Sequence, residues 1–285
     1  GSMVFSSCDF TPASWFRREA HRSPPWRLPM SEPELYLFPI SHYCEKARWA
    51  LDHHGITHRA RNLAPGPHAA LVRRLGAPGS SVPVLVADGD VIQGSAAIVD
   101  WADARGPDAE RSLTPPELEN DARAIEKRLD ERLGVQVRRH AYSVMLFEAP
   151  GEIRRRFAAA VDLRQAVVVR LIWPVLRRIM IRGMDLGPAQ RRAARDAISE
   201  ELDWLDEQLV DGRPFLLGER FTRADLAAAS LLSPIARPAE RPGQSGGTVP
   251  AALEADLSEW AARPSIAWAR SVYRSLRTPG SPTSA

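Results

Sequence analysis

Between Glu34 and Gly106 the chain changes its hydrophobic period again and again, and after residue 118 it keeps one period to the end. "ELYLF" is an apolar run of strand length, and "HYCEKARWALDHHG" follows as a helix closed by Gly55. "THRARNL" reads as a second strand, and a Pro/Gly-rich turn leads to a short helical piece at "HAALVRRL". "VPVLVADGDVI" holds two strands around Asp88-Gly89, a strong hairpin signal. "SAAIVDWADARG" then runs as a helix from Ser95, a favoured N-cap residue. Strand, helix, strand, helix, strand, strand, helix in about 75 residues leaves room for one small mixed sheet with helices packed on it.

Residues 107–118 form a polar, Pro-rich linker, and the chain beyond residue 118 reads as helix alone. Ile125, Leu129, Leu133 and Val137 recur at four-residue spacing, and Ile198, Leu202, Leu205 and Leu209 make a second apolar face. Thr222 with Asp225 three residues on is a capping box, with Phe221 and Leu226 as its hydrophobic staple. Residues 237–250 read as a loop before a last helical region. The fold class is therefore α/β plus all-α. Residues 33–106 form the α/β domain, 107–118 the linker and 119–278 the helical domain. Residues 1–32, including a Gly1-Ser2-Met3 tag remnant, are expected to be a flexible extension and 279–285 a tail.

Bulk properties exclude several classes. Lys+Arg 38 against Asp+Glu 35 gives a net +3, too small an excess to imply nucleic acid. No run of about 18 uncharged apolar residues occurs. The most apolar stretch, "AVVVRLIWPVLRRIMI" (166–181), is interrupted by Arg170, Pro174, Arg177 and Arg178, so it reads first as a buried helix, with a membrane-surface helix as the lesser alternative, and a membrane is not the expected partner. Only Cys8 and Cys44 are present, which fits a cytoplasmic protein with free thiols.

The chemistry concentrates at "PISHYCEKARWAL" (39–51). Ser41 and Cys44 have C-x-x-C spacing with the first cysteine replaced by serine. The helix that starts at His42 points free N–H groups and a positive dipole end at this turn, which would stabilise a thiolate. Ser41 can be a plain N-cap or a hydroxyl that serves an external thiol. Cys44, three residues in, fits inert packing, and Tyr43 fits packing as well as the site. Val82-Pro83 opens a strand where a cis bond would turn the Val82 backbone outward, ready to pair with an extended ligand. The free N–H groups after Gly94 and the Ser95 hydroxyl make a carboxylate-sized anion site, or only a cap. His54 and His58 have i,i+4 spacing with Gly55 between, so no metal site is expected. The arginine clusters 154–156, 177–178 and 191–192 read as solvated helix faces.

"LYLFPISHYCEKARWAL", "SSVPVLVADGDVIQGSAAIVDWA" and "FLLGERFTRADLAAASLL", in this order and spacing, resemble the glutathione S-transferase family over about residues 33–277. The resemblance implies a thioredoxin-like domain followed by an all-helical bundle domain, with Thr222 and Asp225 as the folding signature of the second. It places Ser41 where the family keeps its thiol-activating Ser or redox Cys. Val82 and Pro83 take the place of the cis-Pro dipeptide that pairs with the glutathione cysteinyl backbone. Ser95 matches the serine that binds the γ-glutamyl carboxylate. Gly94 departs from the family's Glu, Asp or Gln, so a contact to the glutathione ammonium is missing there.

The implied activity is a cytoplasmic detoxification transferase that activates glutathione for attack on an apolar electrophile, with a homodimer as the usual assembly. Trp173, Met180 and Met184 fit an electrophile wall and equally a helical core, and His68 and Arg73 lie in the short second helix, where the family sometimes reaches glutathione. The alternatives are a glutathione-dependent isomerase or reductase, or a non-catalytic ligand- or partner-binding protein that kept the fold.

Overall fold

The computed structural model describes residues 32–242 and 248–277. The extension expected over 1–32, apart from Glu32, and the tail over 279–285 lie outside them. Four strands, β1 (Glu34–Leu37), β2 (Arg59–Asn62), β3 (Val84–Ala87) and β4 (Asp90–Gln93), form one sheet in the order β2-β1-β3-β4. β1 runs parallel to β2 and antiparallel to β3, and β3 and β4 form the hairpin expected at Asp88-Gly89. Both turn residues have positive φ, 57° and 88°, which is why Asp-Gly suits the turn.

The strand period of two sorts side chains between two layers. Leu35 and Leu37 of β1 and Leu85 and Ala87 of β3 face helices α1 (His42–His53) and α3 (Ser95–Asp103). Tyr36, Phe38 and Val84 face the other way, against Val72 of α2 (His68–Arg74). A four-stranded sheet with helices is thus followed by helices alone, the thioredoxin-like plus all-α arrangement.

The helical part comprises α4 (Glu119–Arg128), α5 (Val135–Glu148), α6 (Pro150–Ala159), α7 (Leu163–Gly183), α8 (Pro188–Gln208), α9 (Arg223–Ala236), α10 (Ala251–Trp260) and α11 (Pro264–Leu276). Helix α9 is its axis: every residue but Pro234 is buried. It begins at the capping box, where Asp225 accepts from the Thr222 N–H (2.8 Å), the Thr222 hydroxyl (2.9 Å) and the Leu216 N–H (2.7 Å). Leu226 and Ala229 join the core of the sheet layer, so the two parts share apolar contacts.

Two expectations need correction. The spacing of Ile125, Leu129, Leu133 and Val137 reads as one helix, but a π-helical turn at Leu129–Gly134 separates α4 from α5. The apolar run 166–181 lies on α7, and that helix is buried on one face only. Ala166, Val169, Trp173 and Leu176 pack inward, while Leu171 and Val175 face solvent.

A buried ionic cluster joins the parts. Arg223 at the start of α9 donates to Glu126 of α4 (2.6 Å) and Asp100 of α3 (2.6 Å). Lys46 of α1 donates to the same Glu126 (3.1 Å) and to Asp130 of the π turn (2.6 Å). Arg223, Lys46 and Glu126 are all buried. Charges this far from water persist only when paired, and these pairs link α1 to α4, α9 and the π turn.

Candidate active site

A cavity of about 700 Å³ opens between the sheet part and the helical part. Its floor is the turn from β1 into α1, with Phe38, Ile40, Ser41, His42 and Tyr43. One rim is the loop before β3, with Ser80, Ser81 and Val82. Its far wall is apolar, from Met145 on α5, Ile153 on α6, Met180 and Met184 at the end of α7, and Leu253 and Leu257 on α10. Arg138, Arg156, Arg237 and Arg241 also line it, and no Asp or Glu does among the described residues. The electrostatic bias therefore favours an anion.

Ser41 is the N-cap of α1, with φ −79° and ψ 127°, and its Oγ accepts the Cys44 N–H at 3.3 Å. A hydroxyl accepts and donates at once, so the cap leaves the Ser41 proton available to a group in the cavity. The cap and the thiol-serving role are therefore compatible. The turn is held from both ends: the Ser41 N–H donates to the Phe38 carbonyl (2.9 Å) and Arg241 donates to the Ile40 carbonyl (2.8 Å). Arg241 comes from the loop after α9, 201 residues along the chain, so its part in the site was not readable from local pattern.

Cys44 points away from the cavity. It is 2 % exposed, and burial pushes its thiol up to about 11, although Ser41 and the Phe38 N–H (3.4 Å from Sγ) act the other way. Tyr43 lines the cavity, but its hydroxyl donates to the Asp130 carbonyl (2.6 Å), and burial raises its pKa. The His42 Nε2–H donates to the Gly134 carbonyl (3.0 Å). Both acceptors belong to the π turn, whose wider winding releases carbonyls from the regular ladder. Gly134 is required there, since a Cβ would stand 2.5 Å from the Tyr43 hydroxyl. A glycine inside an apolar helical run was the one available sequence signal for this contact.

The Val82–Pro83 peptide is cis. Among the described residues neither the Val82 N–H nor its carbonyl has a hydrogen-bond partner. Gln93, at the end of β4, holds this rim: it accepts the Gly79 N–H (2.9 Å) and donates to the Ser81 carbonyl (2.7 Å). Gln93 does not stand out in the sequence, because a polar residue closing a strand carries no signal of its own.

Ser95 differs from expectation. Gly94 is the N-cap and Ser95 the first residue of α3, without a side-chain capping bond. The Gly94 N–H donates to the Pro83 carbonyl (3.0 Å), which sets the start of α3 beside the rim. Pro83, Gly94 and Ser95 do not themselves line the cavity, whereas Ser41 and Val82 do. Gly94 has φ +99°, a conformation in which any side chain is strained, and a Cβ would meet nothing there. His68, Met180 and Met184 line the cavity. Arg73 is exposed and outside it, and Trp173 packs in the core against Phe157. His54 Nε2 is 2.9 Å from Asp103 Oδ1, away from His58.

Burial, with the nearby arginines, holds the His42 imidazole down to about 3, and burial holds that of His53 down to about 4. An unfolded imidazole titrates near 6.5, so below that pH the unfolded chain binds protons the folded one does not. Their contribution to stability is whole above about pH 6.5 and is lost progressively as the pH falls towards 3. Asp225, pushed up to about 6 by burial, acts in the opposite sense below that value. Comparing variants isolates His42. His42→Gln keeps a donor for Gly134, and its melting temperature is expected to fall less than the wild type's between about pH 7 and about pH 4. Equal slopes would refute this account of His42.

Known proteins share this arrangement. A family model described as "Glutathione S-transferase, N-terminal domain" matches residues 35–110, and one described as "Glutathione S-transferase, C-terminal domain" matches 188–263, together more than half of the chain. A sequence search of curated proteins returns no match. Among solved structures the chain is similar to a glutathione S-transferase of Ceriporiopsis subvermispora in complex with glutathione (18 % identity, TM-score 0.57, 87 % of this chain and 98 % of that one). It is similar to a glutathione transferase of Phanerochaete chrysosporium (16 % identity, TM-score 0.57, 87 % and 98 %). A third is a glutathione S-transferase of Xanthobacter autotrophicus (18 % identity, TM-score 0.54, 88 % and 95 %). At these identities the likeness concerns the fold.

Proposed function

The chain belongs to the glutathione S-transferase family, and on that premise we propose that it is a glutathione transferase whose Ser41 hydroxyl stabilises the glutathione thiolate for attack on an apolar electrophile. The observation that carries the reading is Ser41 itself: a cavity-lining residue at the start of α1 whose hydroxyl accepts its cap bond and still carries a proton. A hydrogen bond to a charged sulfur contributes about 1.5–3 kcal/mol. The helix end adds about 0.3–1 kcal/mol. Lowering a thiol from about 8.5 to about 6.5 requires about 2.7 kcal/mol, within that reach. The surrounding arginines act in the same direction.

The cysteinyl backbone of glutathione would pair with Val82, whose N–H and carbonyl face no other partner among the described residues. Pro83 fixes that loop. Ser95 and the free N–H groups after Gly94 would take the γ-glutamyl carboxylate next to the rim. The electrophile would rest on Met145, Met180, Met184 and Leu257. The burial and raised pKa of Cys44 support a transferase over a dithiol reductase, because a neutral thiol is a poor nucleophile. The free thiol of Cys44 and the family's usual habit support a cytoplasmic homodimer engaged in detoxification.

Glutathione itself provides the direct test. Millimolar glutathione is expected to raise the melting temperature, since a ligand at about 100 times its Kd adds about 2.7 kcal/mol to stability. The gain should shrink in Val82→Pro, which removes the Val82 N–H. No shift with glutathione, together with no conjugation across a panel of electrophiles, would leave the non-catalytic binding protein as the better reading.

A further inference from the structure

Helix α7 carries more apolar side chain than the fold buries. Leu163 is 79 %, Leu171 76 %, Val175 63 % and Ile179 62 % exposed, and Val167 lies open between the first two. At four-residue spacing these five make one row along a helix about 30 Å long, winding slowly round its outer side. Large aliphatic residues scattered singly on a surface need no explanation; an aligned row does.

Positive charge dominates around the row. Residues 150–183, spanning α6 and α7, hold eight arginines against Glu152 and Asp162, a net +6 where the whole chain has +3. Helix α7 itself contains no acidic residue. Arg164, Arg170, Arg178 and Arg182 are exposed, and their side chains make no hydrogen bond or ion pair among the described residues. This hairpin also falls between the two family-matched stretches, 35–110 and 188–263, so it is additional to them.

We propose that the α6–α7 hairpin docks the protein on the surface of a bilayer containing anionic lipid. The aliphatic row would enter the boundary between headgroups and acyl chains, and the arginines would reach up to lipid phosphates. Charge decides between this partner and a second copy. Two copies paired through α7 would bring two rows of arginines together with no acid on either helix to offset them. An anionic bilayer meets both the apolar row and its charge. The placement has a consequence that does rest on the transferase reading. Ile179 belongs to the row and also lines the cavity, beside Met180 and Gly183. An apolar electrophile dissolved in the bilayer would thus meet the cavity where the row ends.

Flotation of the full chain with vesicles is the test. Wild type is expected to float with phosphatidylcholine vesicles containing phosphatidylglycerol, and about tenfold less with phosphatidylcholine alone or in high salt. Leu171→Asp with Val175→Asp should abolish flotation while leaving the melting temperature and its response to glutathione unchanged. A retained glutathione response separates failed docking from failure of the transferase reading. No flotation of wild type at low salt would overturn the proposal, and so would equal flotation of the double variant. A dimer in sedimentation velocity that the double variant splits, with no vesicle binding, would assign the row to a second copy and also overturn it.

Discussion

Replacing Ser41 with alanine is expected to lower kcat/KM for conjugation by about 10- to 100-fold, from the loss of about 1.5–3 kcal/mol of hydrogen bonding to a charged sulfur. The variant also loses its cap to Cys44, at about 0.5–2 kcal/mol of stability, so rate alone does not identify the role. The pH–rate profile does. Without the hydroxyl the bound thiol ionises at higher pH, so the rising limb of the profile moves up by about one to two pH units. Ser41→Thr keeps the hydroxyl and should keep both the cap and most of the rate. A folded Ser41→Ala enzyme with an unmoved profile would remove Ser41 from the chemistry and leave it as a cap.

The second large effect is expected at Glu126. Its carboxylate is shared by Arg223 (2.6 Å) and Lys46 (3.1 Å), and the residue is 4 % exposed. Glu126→Gln keeps the shape and removes the charge, leaving two buried cations with Asp100 and Asp130 as their remaining acidic partners. The expected loss is about 3–5 kcal/mol, read as a lower urea midpoint with little change in slope. Arg123→Gln is the matched control. Its pairs with Glu119 and Asp100 are exposed, and its loss should stay below about 1 kcal/mol. If Glu126→Gln were equally mild, the cluster would not be what holds α1 against α4 and α9. Activity should fall with stability here, because α1 carries Ser41.

Much of this molecule was legible in one dimension because local rules set it. The Asp-Gly turn, the Gly55 stop, the Ser41 cap and the Thr222–Asp225 box each depend on residues within a few positions of one another. The apolar run "ELYLF" likewise marks a strand by its length and composition. From those elements the α/β-then-helical order follows, and the serine at the strand-to-helix turn stands out.

What sequence could not supply are relations between distant residues. Arg241 reaches Ile40 across 201 positions, and Arg223 reaches Asp100 across 123. No local pattern specifies such partners, because they meet only when helices from both parts pack together. The π turn at Leu129–Gly134 interrupts a clean four-residue repeat, and its carbonyls serve His42 and Tyr43, about 90 residues earlier. Helix α7 makes the same point from the opposite side. Its composition reads as buried, yet only one face finds a partner, and exposure is a property of the neighbours a helix meets. The residues themselves determined which segments are strands and helices and which serine caps the first helix. Packing alone decided which charges face one another, which side chains line the cavity and which apolar row is left open.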